Sequence, residues 1–447
     1  MKKSFNNAGS RRRSSPAQRR ALGRYRYVRL RWHILFAVVD WLGWLAARLV
    51  ARLMRCGTPA AERAGPVESI LLVQLDHIGD ALITAAVLPA LKARFPGARI
   101  DVLGAQWNRE VFAACPEIDR IHVSCVNRFA RGLRRHAWLV SALWWGWKLR
   151  RCRYDLAIDV RGEFPHVLIV WLAGARRRLG WDCGGGGFLL TDRARFAPDR
   201  PEVQARLALL ARVGVNAPGV LAGGPWFNPP SDAARKVYRL LVEAGGLTKP
   251  WFVMHLGAGT EAKRWPVEHW RELLGRVILE YGARVAIVGG AGETPLVRAV
   301  TQGLDWPGVV DFTGRLSLVE TAALIQAARV FIGGDSGPAH LAASVATPAV
   351  VLFSGTNSAL QWQPWGAQVA VVRHEVPCSP CHRHRCPWIE HPCMSGISPL
   401  DVMARIESLV GPPATALPQP ASAAPAAGPA TRSALAAELA KLTRSPA

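Results

Sequence analysis

Three short stretches of this 447-residue chain carry side chains whose types and spacing could do polar chemistry. The first is Ile70–Asp80, ILLVQLDHIGD, an apolar run that ends in Asp76, His77, Gly79 and Asp80. A glycine just past a strand lets another group approach the backbone closely. A carboxylate at the start of the next helix is stabilised by free amides and the helix dipole. Asp80 therefore reads as an N-cap or as a general base aimed from a strand end, with Asp76 and His77 as alternative bases. The second stretch is His255–Pro266, HLGAGTEAKRWP. Small residues around Gly257, Gly259 and Thr260 expose backbone amides and Lys263 adds a point charge, which suits a phosphate. The Gly-Lys-Ser/Thr order of a Walker loop is missing. The third is Gly333–His340, GGDSGPAH. Here Asp335 and Ser336 can cap the helix opened by Gly337, whose free amides can hold a diphosphate, and His340 lies one turn in.

Elements must hold these stretches at strand ends, where open α/β sheets bind ligands. From Ser69 the pattern is β-α-β-α, with strands over Ser69–Leu75, Arg99–Gly104, Asp119–Val123 and Tyr154–Val160. Helices are expected over Asp80–Phe95 and Trp107–Ala114. A Pro/Gly-rich stretch, Pro218–Pro230, marks a domain boundary. The pattern restarts with strands at Trp251–Leu256, Arg284–Gly289, Val309–Phe312, Arg329–Gly333 and Pro348–Phe353. Helices at Val267–Tyr281, Thr294–Gln302, Ser317–Ala327 and Gly337–Val345 alternate with them. Such alternation implies parallel sheets with helices on both faces. The expected organisation is two α/β domains, 66–225 and 231–410, facing a shared cleft. Gly184–Gly187 reads as a mobile loop.

The formal net charge of +24 points to an anionic partner. Residues 1–31 form a basic, disordered arm without an acid, and residues 411–447 an Ala/Pro-rich disordered tail. Residues 32–57 are apolar but interrupted by Asp40, Arg48, Arg52 and Arg55, which share one stripe of a helical wheel. A membrane-proximal amphipathic helix is expected, lying in the interface with that polar stripe toward water. A helix capping the first domain and a spanning anchor are the alternatives. The tryptophan-rich run 137–147 is flanked by Arg131, Arg134, Arg135, Lys148, Arg150, Arg151 and Arg153. It suits a membrane interface or an ordinary helix on the sheet. Nine unevenly spaced cysteines and no evident signal peptide suggest a reducing, cytoplasmic setting. Cys378, Cys381, Cys386 and Cys393, with His382, His384 and His391 between them, read as a Zn or Fe site or as a loop of reduced thiols.

In order and spacing, the three stretches resemble family 9 glycosyltransferases, the ADP-heptose:lipopolysaccharide heptosyltransferases. The strongest match is GDSGPAHLAA at Gly334–Ala343 with Ala346–Pro348, then KRWP at Lys263–Pro266 with Trp270. The resemblance spans roughly Ser69–Leu409 and implies a GT-B fold of two Rossmann-like, doubly wound domains. The front half would take the acceptor and the rear half the nucleotide sugar. It implies Asp80 as the base, with Asp76, His77 and Gly79 on the acceptor side. It implies Lys263 on the donor phosphates beside Gly257, Gly259 and Thr260, and Asp335, Ser336, Gly337 and His340 at the donor helix. Glu293 would meet the adenosine ribose. Gln74 and Leu256 depart from the Arg and Pro common in the family, and neither change removes a reacting group.

The implied reaction is an inverting transfer from ADP-heptose to the phosphorylated lipopolysaccharide core on lipid A. It would run at the anionic inner face of the inner membrane, with no cofactor, the cation and helix dipole standing in for a metal. Some relatives that glycosylate autotransporter proteins hold an iron with four cysteines, which keeps a protein heptosyltransferase as an alternative. An epimerase of the same fold is another. A basic nucleic-acid-binding protein would leave the three motifs unexplained, so no nucleic-acid partner is expected.

Overall fold

The computed structural model describes residues 30–54, 65–125, 137–197, 199–216, 219, 225–303 and 308–413. The basic arm up to residue 29, the cations Arg131, Arg134 and Arg135, residues 218 and 220–224 of the Pro218–Pro230 boundary and the tail from residue 414 lie outside these residues.

In chain order the strands are β1 (Ser69–Gln74), β2 (Arg99–Ala105), β3 (Arg120–Ser124), β4 (Leu156–Asp159), β5 (Arg177–Trp181) and β6 (Asp192–Ala194). Then come β7 (Trp251–His255), β8 (Arg284–Val288), β9 (Val309–Asp311), β10 (Val330–Gly334), β11 (Ala349–Leu352) and β12 (Val369–Val372). They form two six-stranded sheets, β3-β2-β1-β4-β5-β6 and β12-β11-β10-β7-β8-β9. The ladders are parallel, as the alternation implied. Both sheets follow the doubly wound order, in which the direction of winding reverses between the first and fourth strands. The central strands are nearly unbroken apolar runs, as burial on both faces requires. Register brings Val73 beside Asp159 and His255 beside Gly333, so the carboxyl ends at each reversal are neighbours.

The chain divides into two compact units, residues 1–73 with 129–196 and residues 74–128 with 197–447. In the first, the Phe164–Leu172 helix packs on the Ala137–Leu149 helix. Gly146 allows the approach: a Cβ there would stand 2.4 Å from Leu172 Cβ. On the Leu30–Met54 helix Arg48 is exposed, as expected of the polar stripe, but Asp40 is not. Asp40 faces the protein body, not water, and its Oδ1 accepts a 2.6 Å bond from the Gly186 amide. The helix's aliphatic side is the exposed one. Gly184–Gly187, expected to be mobile, is a buried seat for this helix. A Cβ on Gly184 would fall 1.7 Å from the Gly162 carbonyl oxygen.

In the second unit, Trp270, Leu273, Leu274, Val277 and Tyr281 form the buried stripe of the Val267–Tyr281 helix. They join Phe252, Met254, Ile332, Val350 and Ile406 in one core. Gly282, at φ 60°, ends that helix. The helix expected over Asp80–Phe95 is two helices, Ile78–Ala85 and Leu88–Arg94. Pro89 sits in the first turn of the second, where its missing N–H costs nothing.

Candidate active site

All the site residues read from the sequence lie in the second unit. In the second sheet, β7 ends at His255 and β10 at Gly334, the two strands that flank its winding reversal. Glu293 reaches the turn after β7. Its Oε2 lies 3.2 Å from His255 Nε2 and accepts a 2.9 Å bond from the Gly290 amide. Its carboxylate fills the space a side chain at residue 257 would need: a Cβ on Gly257 would stand 1.5 Å from Glu293 Oε1. Burial pushes the Glu293 carboxyl up, but the His255 and Gly290 hydrogen bonds outweigh this and hold it below its ordinary value. Gly259 has open space around it, and the Thr260 hydroxyl oxygen is shielded from solvent with no hydrogen-bond partner among the described residues. An orphaned hydroxyl beside an open glycine turn suits a polar ligand.

Lys263 donates to Asp335 Oδ2 at 2.5 Å, and Asn357 Nδ2 donates to the same oxygen at 3.2 Å. Ser336 occupies the N-cap of the Gly337–Ser344 helix, yet its side chain does not cap. Its Oγ lies 3.1 Å from His255 Nδ1 and 3.2 Å from the Gly334 carbonyl oxygen. The capping expected of Asp335 and Ser336 is therefore replaced by bonds to Lys263 and His255, which leaves the helix's first amides free of side-chain caps. Burial drives the His340 imidazole down to about 4, against a smaller upward pull from Asp335. His340 is thus uncharged at neutral pH.

On the other side, His77, not Asp80, holds the N-cap position of the Ile78–Ala85 helix. Asp80 stands in its first turn, 7% exposed, with Oδ1 3.5 Å from Nη2 of Arg206. Arg206 comes from the Glu202–Leu210 helix and is itself 1% exposed. Asp76 is buried, and its carbonyl accepts from Trp107 Nε1 at 2.7 Å and Asn108 Nδ2 at 3.1 Å. His77 is exposed. Gln74, where the family often has Arg, accepts at Oε1 from Thr84 Oγ1 at 3.3 Å.

The two sides meet at glycines. A Cβ on Gly79 would stand 2.8 Å from His340 Cδ2, and one on Gly337 would stand 3.3 Å from Ile78 Cβ. The starts of the Ile78–Ala85 and Gly337–Ser344 helices therefore touch. Gly79, Asp80, Gly337, His340, Asp335 and Lys263 form one neighbourhood, with Glu293 linked to it through His255 and Ser336. Sequence reading missed three members: Arg206, His255 as a bridge, and Asn357. Arg206 left no usable signal, being one of three polar residues in EVQARLALL with Glu202 and Gln204.

The cysteine-rich loop braces the Lys263 turn. His384 O accepts from the Ala262 amide at 3.1 Å, His391 Nε2 lies 3.1 Å from Ala262 O, and Arg385 Nε donates to Glu261 at 2.9 Å. Every described cysteine is a free thiol. Burial, then the nearby Cys386, Cys378 and Cys381, push the Cys393 thiol up. Among the described residues no group of three or more His, Cys, Asp or Glu is arranged to hold a metal ion.

The profile of glycosyltransferase family 9 (heptosyltransferase) matches residues 144–390. A lipopolysaccharide heptosyltransferase 3 of Escherichia coli is 28% identical over 64% of this chain and 83% of its own length. The solved E. coli ADP-heptose lipopolysaccharide heptosyltransferase II superposes with a TM-score of 0.62 at 22% identity, over 76% of this chain and 98% of that one. E. coli heptosyltransferase WaaC, solved with ADP-2-deoxy-2-fluoro heptose, gives 0.56 at 19% identity, over 76% and 99%. These likenesses fix the fold as GT-B.

Proposed function

Because this chain belongs to glycosyltransferase family 9, the heptosyltransferases, we propose that it moves a heptose from ADP-heptose to the phosphorylated inner core of lipopolysaccharide. The transfer is a single displacement with inversion. Asp80 takes the proton of an acceptor hydroxyl as that oxygen bonds to the anomeric carbon. The bond from that carbon to the diphosphate breaks, and its electron pair leaves with ADP. Lys263 and the free amides at Gly337 receive the growing charge, each fixed donor of this kind lowering a barrier by about 3 kcal/mol. Glu293 accepts from the ribose hydroxyls. Uncharged His340 adds no positive charge and borders the gap. A cation and a helix start together supply what a divalent ion otherwise would, so the reaction is metal-independent.

The observation that carries this reading is the contact of Gly79 with His340, because it sets Asp80 one residue from the donor helix. The relative solved with a fluorinated ADP-heptose supports the donor. The net charge of +24 supports an anionic, membrane-held acceptor and a peripheral position on the inner face of the inner membrane. The test is to offer ADP-heptose with deep-rough lipopolysaccharide, with protein, or with neither, in the presence of EDTA. Chelator-resistant transfer to lipopolysaccharide alone, with an inverted anomeric linkage by NMR, is the expected result. Transfer to protein, or turnover without any acceptor, would replace the reading.

A further inference from the structure

The Leu30–Met54 helix is inside out for a helix in water. Its seat on the protein is polar and aromatic. Asp40, 2% exposed, accepts from the Gly186 amide, Phe36 meets Phe164 at 5.6 Å between ring centroids, and Arg193 lies 4.4 Å over the Trp44 ring. Gly43 presses so closely on Phe188 that a Cβ would stand 2.3 Å from that ring. Its outward side is Ile34, Val38, Trp41, Leu42, Leu45 and Leu49, with Trp41 66% exposed. A second apolar surface stands in the same unit. Val140, Leu143, Trp144, Trp147 and Trp171 are exposed, with Lys148 4.6 Å over the Trp144 ring and Arg151 4.6 Å over Trp147. Both surfaces rest on one helix, Phe36 at Phe164 and Gly146 at Leu172, the first and last residues of Phe164–Leu172.

We propose that these two surfaces dock the protein on an anionic bilayer, with the Leu30–Met54 helix lying in the headgroup plane instead of crossing it. Contiguous exposed apolar surface marks a contact site. Tryptophans whose rings lie under Lys and Arg tips match the boundary between acyl chains and charged headgroups. Residues 137–153 hold Lys148, Arg150, Arg151 and Arg153 and no acid, so the rim complements anionic lipid. A second copy would bring the same cations against themselves. Arg31–Leu49 is long and apolar enough to cross a membrane. To cross, however, it would have to break the Asp40–Gly186 bond and carry a carboxylate into hydrocarbon.

The inference deepens the membrane-held acceptor reading and rests on it, but its test uses neither donor nor acceptor. The full chain is floated with vesicles of phosphatidylethanolamine and phosphatidylglycerol, and separately with phosphatidylcholine. The expected result is binding to the anionic vesicles, release by alkaline carbonate, and quenching of tryptophan fluorescence by brominated acyl chains, reduced in Trp41→Phe. Leu42→Glu with Leu45→Glu should weaken partitioning about 100-fold while ADP affinity is unchanged. Lys148→Glu with Arg151→Glu should weaken it about tenfold and flatten its salt dependence. If the double glutamate variant fails to fold, quenching of the wild-type protein decides alone. Absence of vesicle binding or of quenching would overturn the inference. Resistance to carbonate would show a spanning helix, and a lipid-free dimer dispersed by Leu42→Glu would show a second copy on this face. Vesicle binding with no heptose transfer would sink the proposed reaction and leave this inference standing.

Discussion

Replacing Gly79 with alanine tests whether the two helix starts meet in the working enzyme. The new Cβ would stand 2.8 Å from His340 Cδ2, 3.3 Å from Nε2 and 3.4 Å from Cγ. Carbon atoms settle at about 3.5–4.0 Å, so the closest contact is short by about 1 Å. His340 is buried, only 7% exposed, so its ring has packed neighbours. Relief is expected from the helix starts moving apart. Overpacking of this kind costs about 1–3 kcal/mol, while alanine in place of a helical glycine returns about 1 kcal/mol. Net stability should fall by no more than about 2 kcal/mol. Turnover should suffer far more, because a 1 Å displacement of reacting groups costs about 100-fold. The assay compares initial rates of heptose transfer, ADP affinity by calorimetry and thermal melting, with Gly97→Ala as control because nothing lies within 4 Å of a Cβ there. A variant that folds normally and turns over within about threefold of wild type would refute the reasoning. An equal loss of ADP affinity would move the damage into the donor pocket.

Three further outcomes follow from the same geometry. Asp80→Asn should lower turnover by about 10²–10⁴ with ADP affinity unchanged in calorimetry, and retained activity would remove Asp80 as the base. Lys263→Ala should weaken ADP binding about 10–100-fold, and adding Asp335→Asn should restore part of it, since the orphaned carboxylate then no longer repels the diphosphate. His340 sits at about 4 in the fold against an ordinary 6.5, so the unfolded chain takes the proton first. Stability from this group is complete above pH 6.5 and is lost as pH falls toward 4, amounting to about 3 kcal/mol. Urea melts at pH 7 and pH 4.5 should show a smaller acid loss in His340→Gln than in wild type.

The parallel sheets were legible because central strands such as β7 and β10 are unbroken apolar runs before glycine turns. The outer strands β5 and β6 were not. Their sequences, RRLGW and DRA, place charges where an apolar run was sought. Those charges pair across the ladder, Arg177 with Asp192 at 2.8 Å, as suits a sheet margin. The candidate phosphate-side residues stand out in the sequence because Gly, Lys, Asp and Ser are bunched at two strand ends. Arg206 does not, since its partner Asp80 is 126 positions away. The helical wheel of residues 32–57 showed a polar stripe but not that Asp40 leaves it to face the protein. That depends on a main-chain amide at Gly186, 146 positions from Asp40, which no side-chain pattern encodes.

The line from Glu293 through His255 to Ser336 uses both nitrogens of one imidazole. With Glu293 ionised, Nε2 of His255 must carry hydrogen. Nδ1 is then left as an acceptor facing the Ser336 hydroxyl, whose other acceptor within reach is the Gly334 carbonyl. At either acceptor the serine's single hydrogen is committed inside the protein. Under the proposed reaction, the diphosphate would therefore rest on main-chain amides and the Lys263 ammonium, with Ser336 holding the turn and not the ligand.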